Sequence, residues 1–367
     1  MLAINAGSSS VKCALFTFDT EPQPLARDTI EGSGVSSVPR LLDWVDTHTR
    51  HAPLAAVGHR VVHGGPHYSD PQRITRSLLQ TLAQLVPFAP NHLPDEIALI
   101  EAVGRQRPDV AQIACFDTAF HHDLPEVARR LPIPQPYDAQ GVRRYGFHGL
   151  SYAFLVEELQ RLAGSAAAHG RLILAHLGNG SSLAAVHEGR SIDTTMAFTP
   201  IGGVVMSTRS GDLDPGVVTY LARSEGLTPD QVEDLLSHRA GLLAVSGATG
   251  DMRGLLERAP RDPASQLAVA MYAYHVKKAI GALAAALGGL DTLVFSGGVG
   301  EHAPLVRAMI CDGLAFLGVQ LDPSRNDENA LVISSIPESA ARVVVRVIPT
   351  DEELMIARAA YGLLGLR

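Results

Sequence analysis

The sequence predicts a duplicated α/β fold, and three observations carry that expectation. A strand–loop–strand plan occurs twice, about half a chain apart. The first strand of each copy is a continuous apolar run, as a strand buried on both faces would be. Helix-length segments with recognisable start and stop residues fill the intervals. The length of 367 residues exceeds the roughly 100–200 typical of one domain, so two domains with a cleft between the halves are expected.

Taken in order, LAIN–AGSSS–VKCALF opens the chain as strand, small-residue loop, strand. The stretch from Phe18 to Val57 has the least regular pattern. Ser77–Val86 reads as a helix, and Pro94–Gly104 as a second helix with proline at its start. IACFD (113–117) is a strand ending on a carboxylate. Ser151–Leu162 reads as a helix with Ser151 as its cap and Gly164 near its end. LILAHLG–NGSS–LAAVH (172–187) repeats the opening plan. Asp262-Pro263 starts a long helix reaching about Leu287, with Leu267, Met271 and Tyr274 on one face. DTLVF is a strand followed by the loop SGGVGE, and RVVVRVI (342–348) is the last strand, before PTDEE and a terminal helix.

Composition narrows the function classes. Hydrophobic residues make up 46% and charged residues 19%, which suits a packed globular chain. The formal net charge is -8, with no Lys/Arg run to offset it, so neither nucleic acid nor an anionic membrane is an expected partner. An anionic substrate must then be held by a few placed arginines. The three cysteines, Cys13, Cys115 and Cys311, are far apart and form no CxxC pair, which points to buried thiols in a reducing compartment. No basic n-region precedes an apolar h-region at the start, and the longest nearly apolar run, Ala279–Leu290, falls short of the ~20 residues of a membrane span. A cytoplasmic location is expected.

The chemistry-bearing residues cluster at strand ends and small-residue loops. Asn5–Ser10 and Gly178–Ser182 each present backbone N–H groups without bulky side chains, as phosphate-binding turns do, and Lys12 follows the first. Singly, each loop also reads as an ordinary hairpin; as a matched pair they favour nucleotide phosphates. Arg60 in GHRVVHGG and Arg209 in STRSGDLDPG stand in glycine-rich contexts where a guanidinium can meet carboxylate or phosphoryl oxygens, or else lie on a surface turn. Asp117 ends an apolar strand, where open α/β sheets place functional groups. Glu352 follows the last strand and reads either as a magnesium carboxylate or as a helix-start acid. His92, His148 and His176 stand beside Pro or Gly, in settings where a histidine is more often structural than catalytic.

As a set, NAGSSSVK, GHRVVHGG, CFDTAFH, RYGFHGLS, HLGNGSS, TPIGGVVMSTRSGDLDPG, SGGVGE and PTDEE resemble the acetate kinase family (acetate/propionate kinases), in order, from residue 4 to about 353. The resemblance implies an actin-like (ribonuclease H-like) fold of the sugar kinase, actin and Hsp70 superfamily. It divides the chain into residues 1–121 with 354–367, and 122–353. It implies ATP + acetate = ADP + acetyl phosphate by in-line transfer in a closed cleft, magnesium as cofactor (manganese as a substitute), ATP/ADP as substrates, and a homodimer. In that reading Asn5 and Glu352 hold the metal and Lys12 lies near the phosphates. Arg60 binds the acid, with Val62, Asn91, His92, Phe147 and Pro200 around it. Asp117 is the essential acid, and His148 and Arg209 stabilise the transition state. His176, Leu177, Gly178, Asn179, Gly180, Asp251, Met252, Arg253, Gly298, Val299, Gly300, Glu301 and His302 line the nucleotide site.

The chain departs from the family pattern in places. Asn91 stands where the family commonly has leucine, making that wall more polar and leaving propionate or butyrate open as acceptor. His302 and Asp351 each replace an asparagine, which leaves the nucleotide preference open; within the family, pyrophosphate is an alternative donor. The interval from Lys12 to Arg60 is short. A hydroxyl-directed kinase on the same fold would want a carboxylate base beside the acceptor oxygen. A non-enzymatic, actin-like ATP-binding protein would turn over ATP without needing a small acid.

Overall fold

The computed structural model describes residues 1–7, 10–18, 21–32, 34–49, 53–335 and 343–365. Ser8 and Ser9 of the first small-residue loop and Arg342 of the last predicted strand lie outside these. The chain divides into two compact units. One comprises Met1–His122, Phe147–Phe154 and Asp351–Arg367; the other comprises Asp123–Gly146 and Leu155–Thr350.

The first unit is built on strands β1 (Leu2–Ala6), β2 (Ser10–Phe18), β3 (Pro22–Glu31), β4 (Ala56–Val61), β5 (Gln72–Arg73) and β6 (Ala111–Phe116), in sheet order β3-β2-β1-β4-β6-β5. β1 runs antiparallel to β2 and parallel to β4, which is parallel to β6. Strand pleating sends alternate residues to opposite faces. Leu2 and Ile4 pack with Val11, Cys13 and Leu15 against helices 38–49 and 93–106. Met1 and Ala3 pack with Phe16 and Cys115 against Ile356, Ala357 and Ala360 of the terminal helix, Glu352–Leu364. The irregular stretch thus contains an edge strand and a helix, Val38–Thr49. β3 has no apolar alternation because most of its side chains are exposed.

The second unit repeats this plan with β7 (Leu172–Leu177), β8 (Ser181–His187), β9 (Arg190–Thr194), β10 (Thr292–Ser296) and β11 (Val344–Val347), ordered β11-β10-β7-β8-β9. β7 is antiparallel to β8 and parallel to β10, which is parallel to β11. The helix Pro263–Leu287 covers one face. Asp262 caps it by accepting from Ala264 N, and Gly288 ends it in the left-handed region. Its buried stripe is Ala268, Val269, Tyr272, Ala273, Val276 and Ile280, whereas Leu267 and Tyr274 are exposed. The apolar face read from the sequence is therefore largely the solvent side, because small residues let the helix approach the sheet on the other.

Two boundaries also shift. The helix after Phe147 begins at Gly149, with Ser151 buried inside its first turn rather than capping it. SGGVGE is not an open loop: Gly297–His302 forms a short helix directly after β10. All three cysteines are free and buried. No helix among the described residues is long and apolar enough to cross a membrane.

Candidate active site

In the first unit, the parallel strands β4 and β6 deliver Arg60 and Asp117 to adjacent places. Arg60 Nη2 donates to Asp117 Oδ2 at 2.9 Å, with Arg60 side-chain exposure only 13% and Asp117 fully buried. The same Oδ2 accepts from His148 N at 2.8 Å, while the Asp117 carbonyl accepts from Gly149 N at 2.8 Å. These two tethers hold His148 at φ +59°, a conformation that costs a non-glycine residue about 1–3 kcal/mol. Residue 149 must be glycine, since a Cβ there would lie 2.3 Å from the Asp117 carbonyl oxygen. The other carboxylate oxygen, Asp117 Oδ1, is buried without a hydrogen-bond partner.

A second acid approaches from helix 93–106. Glu96 Oε1 lies 3.5 Å from Arg60 Nη1, and Oε2 accepts from Val62 N at 2.9 Å. Burial raises its carboxyl to about 7, although Arg60 and the Val62 amide pull the other way. Burial lowers the Arg60 guanidinium, but Asp117, Glu96 and Glu352 outweigh it and hold Arg60 above its ordinary range. Sequence reasoning missed Glu96, because an acid in the first turn after Pro94 looks like any exposed helix-start carboxylate.

Asn5, late in β1, donates to Glu352 Oε2 at 2.7 Å and to Glu353 Oε1 at 3.1 Å. Lys12 is its register partner on β2 and is exposed. Burial and then Asp117 raise the Glu352 carboxyl, opposed by Arg60, Asn5 and Lys12. Asp351 caps the terminal helix through Leu354 N and pairs with Arg27 of β3 at 3.0 Å. Glu352 is thus both a helix-start carboxylate and a member of the charge cluster around Arg60 and Asp117.

Val62 and Phe147 are buried, and the His63 ring stands edge-on to Phe88 and Phe147 at 5.5 and 5.7 Å. His92 is half-buried at the cap position of helix 93–106, and Asn91 is exposed.

The second unit holds the remaining predicted residues. The β7–β8 turn closes through Gly178 N to Gly180 O at 3.1 Å and Ser181 Oγ to Gly178 O at 3.0 Å, with Asn179 exposed. His176 is half-buried and Leu177 buried at the end of β7. Asn179 O accepts from Ser207 N at 3.3 Å, which links this turn to the strand-free segment carrying Arg209. Arg209 Nη1 donates to the carbonyl of buried Pro200 at 3.1 Å. Asp251 caps helix 252–258, leaving Met252 buried and Arg253 exposed. In the helix 297–302, Gly298 and His302 are exposed, and Val299 is half-buried. Glu301 Oε1 accepts from Gly297 N at 2.8 Å.

The segment is anchored by Arg307, also missed from sequence. This fully buried side chain spends its five N–H donors on the carbonyls of Gly300, Glu301 and Asn326 and on the side-chain oxygens of Asn326 and Asn329.

The comparisons agree across the whole chain. The acetokinase family model matches residues 31–358. The chain is 44% identical to an acetate kinase of Rhodopseudomonas palustris (strain TIE-1) over 396 aligned positions, covering 99% of this chain and 98% of that protein. It is 43% identical to an acetate kinase of Rhizobium meliloti, covering 100% and 98%. Among solved structures, the Porphyromonas gingivalis acetate kinase superposes with TM-score 0.87 at 34% identity, covering 99% of both chains. A propionate kinase from Francisella tularensis does so with TM-score 0.89 at 33% identity, covering 98% of both. With its repeated β3-β2-β1-β4-β6 and β9-β8-β7-β10-β11 sheets, the chain belongs to the acetokinase family.

Proposed function

We propose that the protein is a magnesium-dependent acetate kinase that transfers the γ-phosphoryl group of ATP to the carboxylate of acetate, giving ADP and acetyl phosphate. The observation that carries this reading is the Arg60–Asp117–His148 constellation centred on buried Asp117, beside apolar Val62 and Phe147. An acetate carboxylate is ionised near neutral pH, so the acceptor needs no general base. What the reaction demands is orientation and charge neutralisation on the transferring group. Arg60 orients the acid. Asp117 fixes Arg60 and the His148 backbone through one oxygen, which leaves the other oxygen, Oδ1, for a metal or a metal-bound water. His148 and Arg209 supply donors to the phosphoryl oxygens. The β7–β8 turn, Asp251–Arg253 and Gly298–His302 take the nucleotide.

The donor set fits magnesium. That ion takes one or two carboxylates and completes its shell with water and phosphate oxygens, and the first unit offers Glu352, Asn5 and the unpartnered Asp117 Oδ1. When bound, it would offset phosphate charge. A second reading, propionate as acceptor, is favoured by the close superposition on a propionate kinase. The absence of pairing between cysteines supports a cytoplasmic location, and we take the enzyme to act as a homodimer on resemblance alone.

Hydroxamate trapping with Mg²⁺, ATP and formate, acetate, propionate or butyrate tests this. Acyl phosphate should form best with acetate and fall by roughly 10²–10³ in Arg209→Ala. A maximum at propionate would favour the second reading, and no acyl phosphate with any acid would remove both.

A further inference from the structure

Three carboxylates, buried Asp117 and Glu96 and half-buried Glu352, share one guanidinium in the first unit. Arg60 meets Asp117 at 2.9 Å and Glu96 at 3.5 Å, and it also acts electrostatically on Glu352. The charges around Arg60 are therefore already in anionic excess, and a substrate carboxylate would add another. Burying such an excess is far costlier than neutralising one member of the set.

The three acids are not equally supported as anions. Asp117 Oδ2 takes two hydrogen bonds, from the Arg60 guanidinium and His148 N. Glu352 takes one from Asn5, with Lys12 and Arg60 attracting it. Glu96 takes one backbone N–H, from Val62, and its Oε1 is buried with no hydrogen bond. It is also only 4% exposed. Other charged groups acting on it are Asp117 and, from its own helix, Asp95. Of the three, Glu96 is the one outside the proposed metal-holding set, and apart from the 3.5 Å ion pair with Arg60 its Oε1 has no hydrogen-bond donor.

We propose that Glu96 is a positioning residue that couples acid binding to the uptake of one proton: as a carboxylate it competes for Arg60, and as a carboxylic acid it leaves the guanidinium to the substrate while still accepting from Val62 N. The inference rests on the reading of Arg60 as the acid-binding residue. Its consequence is an affinity for short acids that declines as pH rises, with no direct contact between Glu96 and substrate. The raised value of about 7 puts the transition in the neutral range.

The test is the acetate KM of the full-length protein between pH 6 and 8, at saturating Mg²⁺ and ATP. One-proton linkage about a value near 7 predicts a rise of roughly tenfold over that interval, with the ATP KM changing much less. Glu96→Gln, which is isosteric and uncharged, should hold the acetate KM near its low-pH value throughout, roughly tenfold below the parent at pH 8. Glu96→Asp should keep the slope. Acetate titration calorimetry at pH 8, in two buffers of different ionisation enthalpy, should register proton uptake approaching one per site in the parent and none in Glu96→Gln.

A flat parent profile, an unchanged slope in Glu96→Gln, or a uniformly higher KM in that variant would overturn the proposal. If Glu96→Gln does not fold, the parent's buffer dependence decides alone. Activity on acids without proton uptake sinks this inference and keeps the kinase reading; no acyl phosphate at any pH sinks the kinase reading itself.

Discussion

Arg60 in the first unit and Arg307 in the second are both buried guanidiniums set beside proposed functional segments, but their surroundings are opposite. Arg60 is answered by carboxylates, which hold its proton more tightly than usual. Arg307 is answered by five neutral oxygens, and burial lowers it. The sheets beneath them are the same. Counting along the registers, Ser296 on β10 occupies the position of Arg60 on β4, and Thr350 after β11 occupies that of Asp117 after β6. Duplication supplied one scaffold twice, and side-chain choice at the strand ends then made one charged site and one built from backbone amides and carbonyls. The charged version suits a small acid and a metal; the amide-rich version suits phosphates and a nucleoside.

The comparison is broken most severely by removing the charge at Arg60. Arg60→Met leaves Asp117, Glu96 and Glu352 without their shared cation, so stability should fall by about 3–5 kcal/mol. A lowered denaturation midpoint with undetectable acyl phosphate is the expected result; unchanged stability would mean that the carboxylates protonate without penalty. Arg307→Met should cost less, about 2–4 kcal/mol, because neutral carbonyls can turn partly to water. Its kinetic mark should be a raised KM for ATP with the acetate KM nearly unchanged. Arg307→Lys, with three donors for five acceptors, should recover only part of that loss.

The smallest effect sharpens the contrast by pH. His59, buried in β4 with Nε2 bonded to Gln112 Oε1 at 2.7 Å, is lowered by burial to about 4. The unfolded chain takes up the proton first. The stability is therefore present above about 6.5 and is lost as pH falls through 4, by up to about 3 kcal/mol in the limit. Chemical denaturation at pH 7 and pH 4.5 should show a smaller acid-induced loss in His59→Asn than in the parent.

What was legible in the sequence is what depends on local pattern. The two strand–loop–strand runs, the Asp262-Pro263 start and the Gly288 stop announced themselves because apolar runs and caps are written in consecutive residues. Arg60 and Asp117 were visible as strand-end residues, and the structure pairs them. Glu96 was not, because its partners, Arg60 and Val62, lie more than thirty residues earlier in the chain and nothing beside it signals burial. The packed stripe of helix 263–287 was misjudged for a related reason: Ala268 and Ala273 carry little hydrophobic signal, yet their small size permits close packing on the sheet. SGGVGE looked like a loop because glycine-rich turns and glycine-rich helix starts share a composition.

The terminal helix has a further consequence. Ile356 lies so close to Gly58 of β4 that a Cβ at residue 58 would be 2.4 Å from its Cγ2. Ile356, Ala357 and Ala360 complete one face of the sheet that the first residues begin. The first unit therefore lacks part of its core until residues 352–364 have left the ribosome, whereas the second is made of residues 123–146 and 155–350 and is synthesised before them. Domains usually fold in the order they are made; here the unit that begins first is completed after the other, and Arg60 waits for helix 352–364 to dock.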